Sequence, residues 1–169
     1  MTVFVVGLTG WWSNLFSFFR RPIDLPLAIV REQLPNARIY SGHWRKHKEF
    51  ARKIILDWKE GDTVICLGHS YGSSAMTHLI TRLNEVNIDV ELFISEDQGA
   101  DSWVIKDVPV TRNVEIVDEY LVAFERLGFV SDWKGVHNFT KLRGMHTATF
   151  TEPSIVKMMA ARIVKIAKE

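Results

Sequence analysis

Thr63-Val64-Ile65-Cys66-Leu67-Gly68-His69-Ser70-Tyr71-Gly72 is the stretch that decides how this chain is read. Val64 to Leu67 form an apolar run, which leads directly into the pattern G-x-S-x-G. Beyond it, Ser73, Ser74, Ala75, Met76, Leu79, Ile80 and Leu83 continue with the small first turn and apolar spacing of a helix packed close to that run. The predicted order is therefore buried strand, sharp turn, helix. Glycines on both flanks allow the turn and force Ser70 into a strained conformation that lifts its hydroxyl above the sheet edge, as in a nucleophile elbow. The competing reading is a Gly-rich strand-to-helix turn holding an incidental serine.

Working outward, Thr2 to Leu8 reads as a second buried strand entering the turn Gly7-Leu8-Thr9-Gly10. No Gly-Lys-Ser/Thr and no G-x-G-x-x-G follows, which argues against a nucleotide phosphate loop. Leu25 to Leu34 has the spacing of a short amphipathic helix closed by Pro35, and Ala37 to Tyr40 reads as a strand. The basic run His43-Trp44-Arg45-Lys46-His47-Lys48 is soon balanced by Glu49, Asp57 and Glu60, and reads as a solvated loop and helix start. Phe50, Ile54, Ile55 and Trp58 supply the apolar face of that helix, which Gly61 ends. After the elbow helix come strands at Val90 to Ser95, Asn113 to Val117 and Gly135 to Leu142. A final helix, Ile155 to Ile166, is begun by Pro153. This alternation predicts an α/β three-layer sandwich with a mostly parallel central sheet, and the absence of linkers or repeats predicts one domain over residues 1–169.

Composition narrows the function classes. A chain of 169 residues with 47% hydrophobic content can bury a core without disulfides or metals. With 21 basic and 20 acidic residues the net charge is +1, which gives no general attraction for nucleic acid or an anionic membrane. The single cysteine, Cys66, reads as a small core residue, so a disulfide framework and a cysteine-based metal site are not expected. No run of 18 apolar residues occurs and no basic region precedes the first apolar run; a cytoplasmic protein without stable membrane insertion is the expectation.

Ser70 needs a base to take its proton and an acid to orient that base. The elbow resembles that of α/β-hydrolases, in which the chain order is serine, then acid, then histidine; that order would remove His43 and His47. His69 lies within the motif and His78 on the elbow helix, leaving His137 and His146. His137 falls within a predicted strand, whereas His146 falls in a loop between the last strand and the last helix; His146 is preferred. For the acid, Asp97 follows Val90 to Ser95 and Asp118 follows Asn113 to Val117, both at strand carboxyl ends where such sites gather. Asp97 is preferred, with Asp118 and then Glu96 as alternatives. The aromatic segment containing Trp11, Trp12, Phe16, Phe18 and Phe19 can line a pocket, form a lid, touch a membrane interface or pack in the core.

The elbow Gly68-His69-Ser70-Tyr71-Gly72, a short first strand ending at Gly7, an acid after the next strand and a late histidine together resemble a compact α/β-hydrolase, similar to small lipase-like serine esterases. The resemblance implies a minimal α/β-hydrolase fold without a large cap. It implies an oxyanion hole from the amides of Tyr71 and Leu8, with Thr9 as the alternative to Leu8. The sequence departs from the family pattern in carrying Val6-Gly7 where a His-Gly is usual. The implied chemistry is acyl transfer from an ester with an apolar group, using Ser70, Asp97 and His146, with Trp11, Trp12 and Phe16 around the acyl group and no cofactor or metal. The alternative is a catalytically inactive protein of the same fold used for binding or structure.

Overall fold

Long apolar β-branched runs are stable as strands when both their faces are covered, and the three longest such runs lie in the middle of the sheet. The computed structural model describes residues 1–10, 23–96, 114–121, 136–141 and 152–169. The strands are β1 (Val3–Thr9), β2 (Arg38–His43), β3 (Thr63–His69), β4 (Val90–Glu96), β5 (Val114–Leu121) and β6 (Val136–Lys141). They form a six-stranded sheet in the order β2-β1-β3-β4-β5-β6, and all five neighbouring pairs are parallel. The helices among the described residues are α1 (Asp24–Gln33), α2 (His47–Asp57), α3 (Tyr71–Asn84) and α4 (Pro153–Ile166).

Alternation along the strands divides the core in two. Phe4, Val6, Val64 and Cys66 pack with Phe50 and Ile54 of α2 and with Met76, Leu79 and Ile80 of α3. Val5, Ile65, Leu67, Leu92 and Ile94 pack on the other face with Leu27 and Val30 of α1 and Met159 and Ile163 of α4. This is the expected three-layer sandwich. Most of these side chains are fully buried, and each contributes about 1.5–3 kcal/mol relative to exposure.

Two element boundaries differ from the sequence reading in ways that matter. β2 continues to His43 because it pairs with β1 as far as Thr9↔His43. The basic run therefore begins in a strand, makes a 3-10 turn at Trp44–Lys46 and starts α2 at His47, with Trp44 partly buried against the core. β5 extends to Leu121, so Asp118 lies inside the strand rather than in a loop after it.

The chain runs from β1 outward to β2, then returns to the opposite side of β1 to lay down β3 to β6 in sequence. Strand order thus reverses between β1 and β3, and open α/β sheets place their binding crevices at the carboxyl ends of such a pair. The residues that directly follow those ends are Gly10 and Ser70.

Candidate functional site

Ser70 has φ 56° and ψ −128°, a backbone conformation that side-chain-bearing residues avoid at a cost of about 1–3 kcal/mol. The surroundings over-determine it. The Ser70 N–H donates to the Glu96 carbonyl at 2.9 Å, tying the elbow to the end of β4, and the Ser73 N–H donates to the Ser70 carbonyl at 2.9 Å, closing the turn into α3. The flanking glycines are required by contact. A Cβ on Gly68 would lie 2.5 Å from Ser73 Cα, and one on Gly72 would lie 2.8 Å from Thr9 N and closer still to the Leu8 carbonyl. The helix therefore starts hard against β1 and β3, which sets Ser70 at the crevice with 8% of its surface exposed.

Gly10 closes the crevice from the β1 side: a Cβ there would stand 3.0 Å from both Cβ and Oγ of Ser70 and 3.1 Å from Tyr71 N. Tyr71 and the end of β1 thus meet over the hydroxyl. Leu8, the other expected oxyanion donor, precedes Gly10 in the chain. It is fully buried inside β1 and Cα-paired with Gly42 on one side and Gly68 on the other. The Thr63 N–H donates to the Thr2 carbonyl at 3.0 Å, so the even-numbered peptide groups of β1 turn towards β3. By that alternation the Leu8 amide is directed into the ladder. The β1–β3 register ends at Leu8↔Gly68, and Gly10 is the next even-numbered residue, one step beyond the last rung.

Three buried polar side chains line up behind the serine. His69 pairs in register with Glu96, and Glu96 with Tyr120; the three are 5%, 1% and 7% exposed. Strand alternation turns all three to the α1 and α4 face, since Leu67, Ile94 and Tyr120 belong to that half of the core. Glu96 is thus the described carboxylate next to the elbow. Asp118 sits two residues below the level of Glu96 on the neighbouring strand, where Oδ1 accepts from Asn138 Nδ2 at 2.7 Å and Oδ2 from Arg162 Nε at 2.8 Å. Both its oxygens are engaged in these bonds.

Of the other expected site residues, Asp97, His146, Trp11, Trp12 and Phe16 lie outside the described residues. His146 belongs to the stretch between the end of β6 at Lys141 and the start of α4 at Pro153. His137 is in β6, in register with Val117 and below the carboxyl edge. His43 ends β2, with burial and then the Arg45 charge holding its imidazole below the usual histidine range. His47 is lowered chiefly by burial and lies with its ring 5.8 Å from that of His78. Cys66 is fully buried and burial pushes its thiol up, which leaves it an inert core residue. Among the described residues no cluster of His, Cys, Asp and Glu is arranged to hold a metal ion, and no helix is long and apolar enough to cross a membrane.

No protein-family model matches the chain, and no curated protein sequence matches it significantly. Solved structures do. The NocB thioesterase domain from the nocardicin cluster aligns with a TM-score of 0.59 at 12% identity, over 98% of this chain and 94% of that one. YbtT, a type II thioesterase from the yersiniabactin pathway, aligns at 0.61 and 9%, over 97% and 92%. An extracellular α/β-hydrolase from a Paenibacillus species aligns at 0.60 and 14%, over 99% and 100%. With its parallel sheet, its reversal of strand order between β1 and β3 and these likenesses, the chain has the α/β-hydrolase fold.

Proposed function

We propose that the protein is a serine hydrolase that cleaves a carboxylic ester or thioester through an acyl-enzyme on Ser70. The observation that carries this is the strained serine at the point where strand order reverses, with Gly10 standing over its hydroxyl. Backbone strain of this kind clusters at active sites and ligand clamps, which supports a functional role for the Ser70 hydroxyl. In the proposed reaction Ser70 Oγ attacks the carbonyl carbon while His146 takes its proton. Asp97 holds the imidazole in the required tautomer, and His146 returns the proton to the leaving alcohol or thiol. Water then attacks the acyl-enzyme by the same route and releases the acid.

Two backbone amides stabilise the oxyanion, each contributing roughly 10²-fold or more in rate. Tyr71, first residue of α3, supplies one. For the second we propose an amide at the end of β1, that of Leu8 with Thr9 as the alternative, or that of Gly10, whose backbone lies beside Ser70 Oγ and Tyr71 N. Trp11, Trp12 and Phe16 follow Gly10 directly in sequence, which supports an apolar wall for the acyl group. Each methylene that it accommodates would contribute about 0.8 kcal/mol, close to fourfold in kcat/KM.

The thioesterase neighbours extend the proposed substrate class from oxygen esters to thioesters. Steady-state hydrolysis of matched hexanoyl oxygen ester and thioester substrates by wild type and Ser70→Ala tests the reading. Turnover of at least one substrate, lost in folded Ser70→Ala, is expected. No turnover of either would favour a catalytically inactive member of the fold.

A further inference from the structure

Two strands away from Ser70, a cleft of about 400 Å³ opens between β5, β6 and α4. At the usual strand spacing this puts it about 10 Å from the serine. Its lining holds an organised set of polar side chains. Asp118, 4% exposed, is held by Asn138 and by Arg162 Nε, so the carboxylate is satisfied and the guanidinium is fixed at its Nε end. Arg162 lines the cleft with a side chain 25% exposed, and its ion pair with Asp118 uses Nε alone. Among the described residues no bond engages the terminal nitrogens, a planar fork of donors whose geometry matches a carboxylate or phosphate.

Two further donors share the cleft. Tyr120 is 7% exposed, and its hydroxyl is pushed up to about 12 by burial first and then by Asp118 and Glu96, against the pull of Arg162. It therefore keeps its proton at neutral pH. Lys165 stands one turn after Arg162 on α4, with 66% of its side chain exposed and Glu169 3.6 Å away at the surface. Among the described lining residues, Arg162 and Lys165 against Asp118 leave one positive charge in excess. Met158 and Ala161 add apolar surface at the rim.

We propose that this cleft is a binding site for a small oxyanion, a carboxylate or phosphate group, carried on a short apolar stem. Arg162 takes the oxyanion in a forked contact, Tyr120 and Lys165 add single donors, and Asp118 and Asn138 act by orienting Arg162. The stem lies on Met158 and Ala161. The site is separate from the reacting serine and does not depend on the hydrolase reading.

The test is titration of the full chain with benzoate and, separately, with inorganic phosphate at low ionic strength, read by calorimetry and by amide chemical shifts. Saturable binding with Kd on the order of 1 mM is expected for at least one probe. Saturation by benzoate alone identifies a carboxylate site and saturation by phosphate alone a phosphate site. Ala161 is exposed on α4, so Ala161→Phe fills the cleft without touching the ion pair, and it should weaken binding at least tenfold. Lys165→Gln should weaken it several-fold. Arg162→Gln leaves Asp118 buried and unpaired, so the Asp118→Asn/Arg162→Gln double variant, which leaves the net charge of the lining unchanged, is the cleaner loss-of-binding variant. Ser70→Ala should bind as wild type does, which separates this site from the proposed catalytic one. Failure of both probes to saturate, or unchanged affinity in Ala161→Phe, overturns the proposal.

Discussion

Gly72→Ala probes the contact that builds the elbow. In the first turn of a helix this exchange ordinarily stabilises, since alanine is favoured over glycine by about 1 kcal/mol in helices. Here the added methyl would lie 2.8 Å from Thr9 N and nearer still to the Leu8 carbonyl, whereas comfortable contacts begin near 3.5 Å. Leu8 and Thr9 are main-chain atoms of β1, fixed by pairing with β2 and, at Leu8, with β3, so relief requires moving the start of α3 away from the sheet. Overpacking of that kind costs about 1–3 kcal/mol and more where backbone must shift; the upper end is expected, leaving about 2 kcal/mol after the helix gain. For a chain of this length that corresponds to a fall in Tm of about 4–8 °C. Urea unfolding should show a lower midpoint with unchanged slope. Gly61→Ala is the control: with φ 89° and nothing within 4 Å, it carries backbone strain of about 1–2 kcal/mol and should leave hydrolysis intact. A Gly72→Ala protein as stable as wild type would refute the close approach of α3 to β1.

Gly10→Ala places its methyl 3.0 Å from Ser70 Oγ and 3.1 Å from Tyr71 N, and should lower kcat by about 10–100-fold with little change in Tm, read by steady-state kinetics and a thermal melt. Asp118→Asn should destabilise by about 1–3 kcal/mol through loss of the Arg162 pair while changing kcat less than tenfold; Asp97→Asn should lower kcat by up to about 10⁴-fold, and the reverse ranking would move the acid to Asp118. Glu91 is raised to about 7, chiefly by burial and then by Glu115 and Asp89, against the Val64 N–H that its carboxylate accepts at 2.6 Å. Because the folded value lies above the unfolded one, its contribution is complete below about pH 4.5 and is lost as pH rises through 7. Glu91→Gln should therefore flatten stability between pH 5 and 8 by about 1–2 kcal/mol in urea titrations, after allowance for partial exposure.

The central strands were legible because uninterrupted apolar runs between turn residues have few other homes, and the elbow was legible because its glycines and serine sit at fixed spacing. Asp118 was misplaced for a physical reason. The polar residues Asp118 and Glu119 make β5 look finished at Val117, yet the strand continues because Arg162, 44 residues later, neutralises the aspartate. No local pattern announces that partner. The basic run after Gly42 has the look of a loop and helix start, and α2 does begin within it at His47, but pairing with β1 carries the strand through His43 and Trp44 is partly buried. The direction of each peptide group in β1 was not legible, because it depends on where the ladder begins, which the Thr63 to Thr2 hydrogen bond reveals and composition does not. The cleft beside α4 joins residues from three elements far apart in sequence, and so left no motif to find.

The most direct test of the central claim is to treat the protein with a fluorophosphonate probe and locate the adduct by peptide mass spectrometry. An activated serine attacks phosphorus, displaces fluoride and retains the phosphonate, and an unactivated hydroxyl does not react on the same timescale. The account predicts stoichiometric modification of Ser70 alone, absent from Ser70→Ala and strongly slowed in His146→Ala. An unmodified folded protein, or an adduct on a different residue, would contradict it.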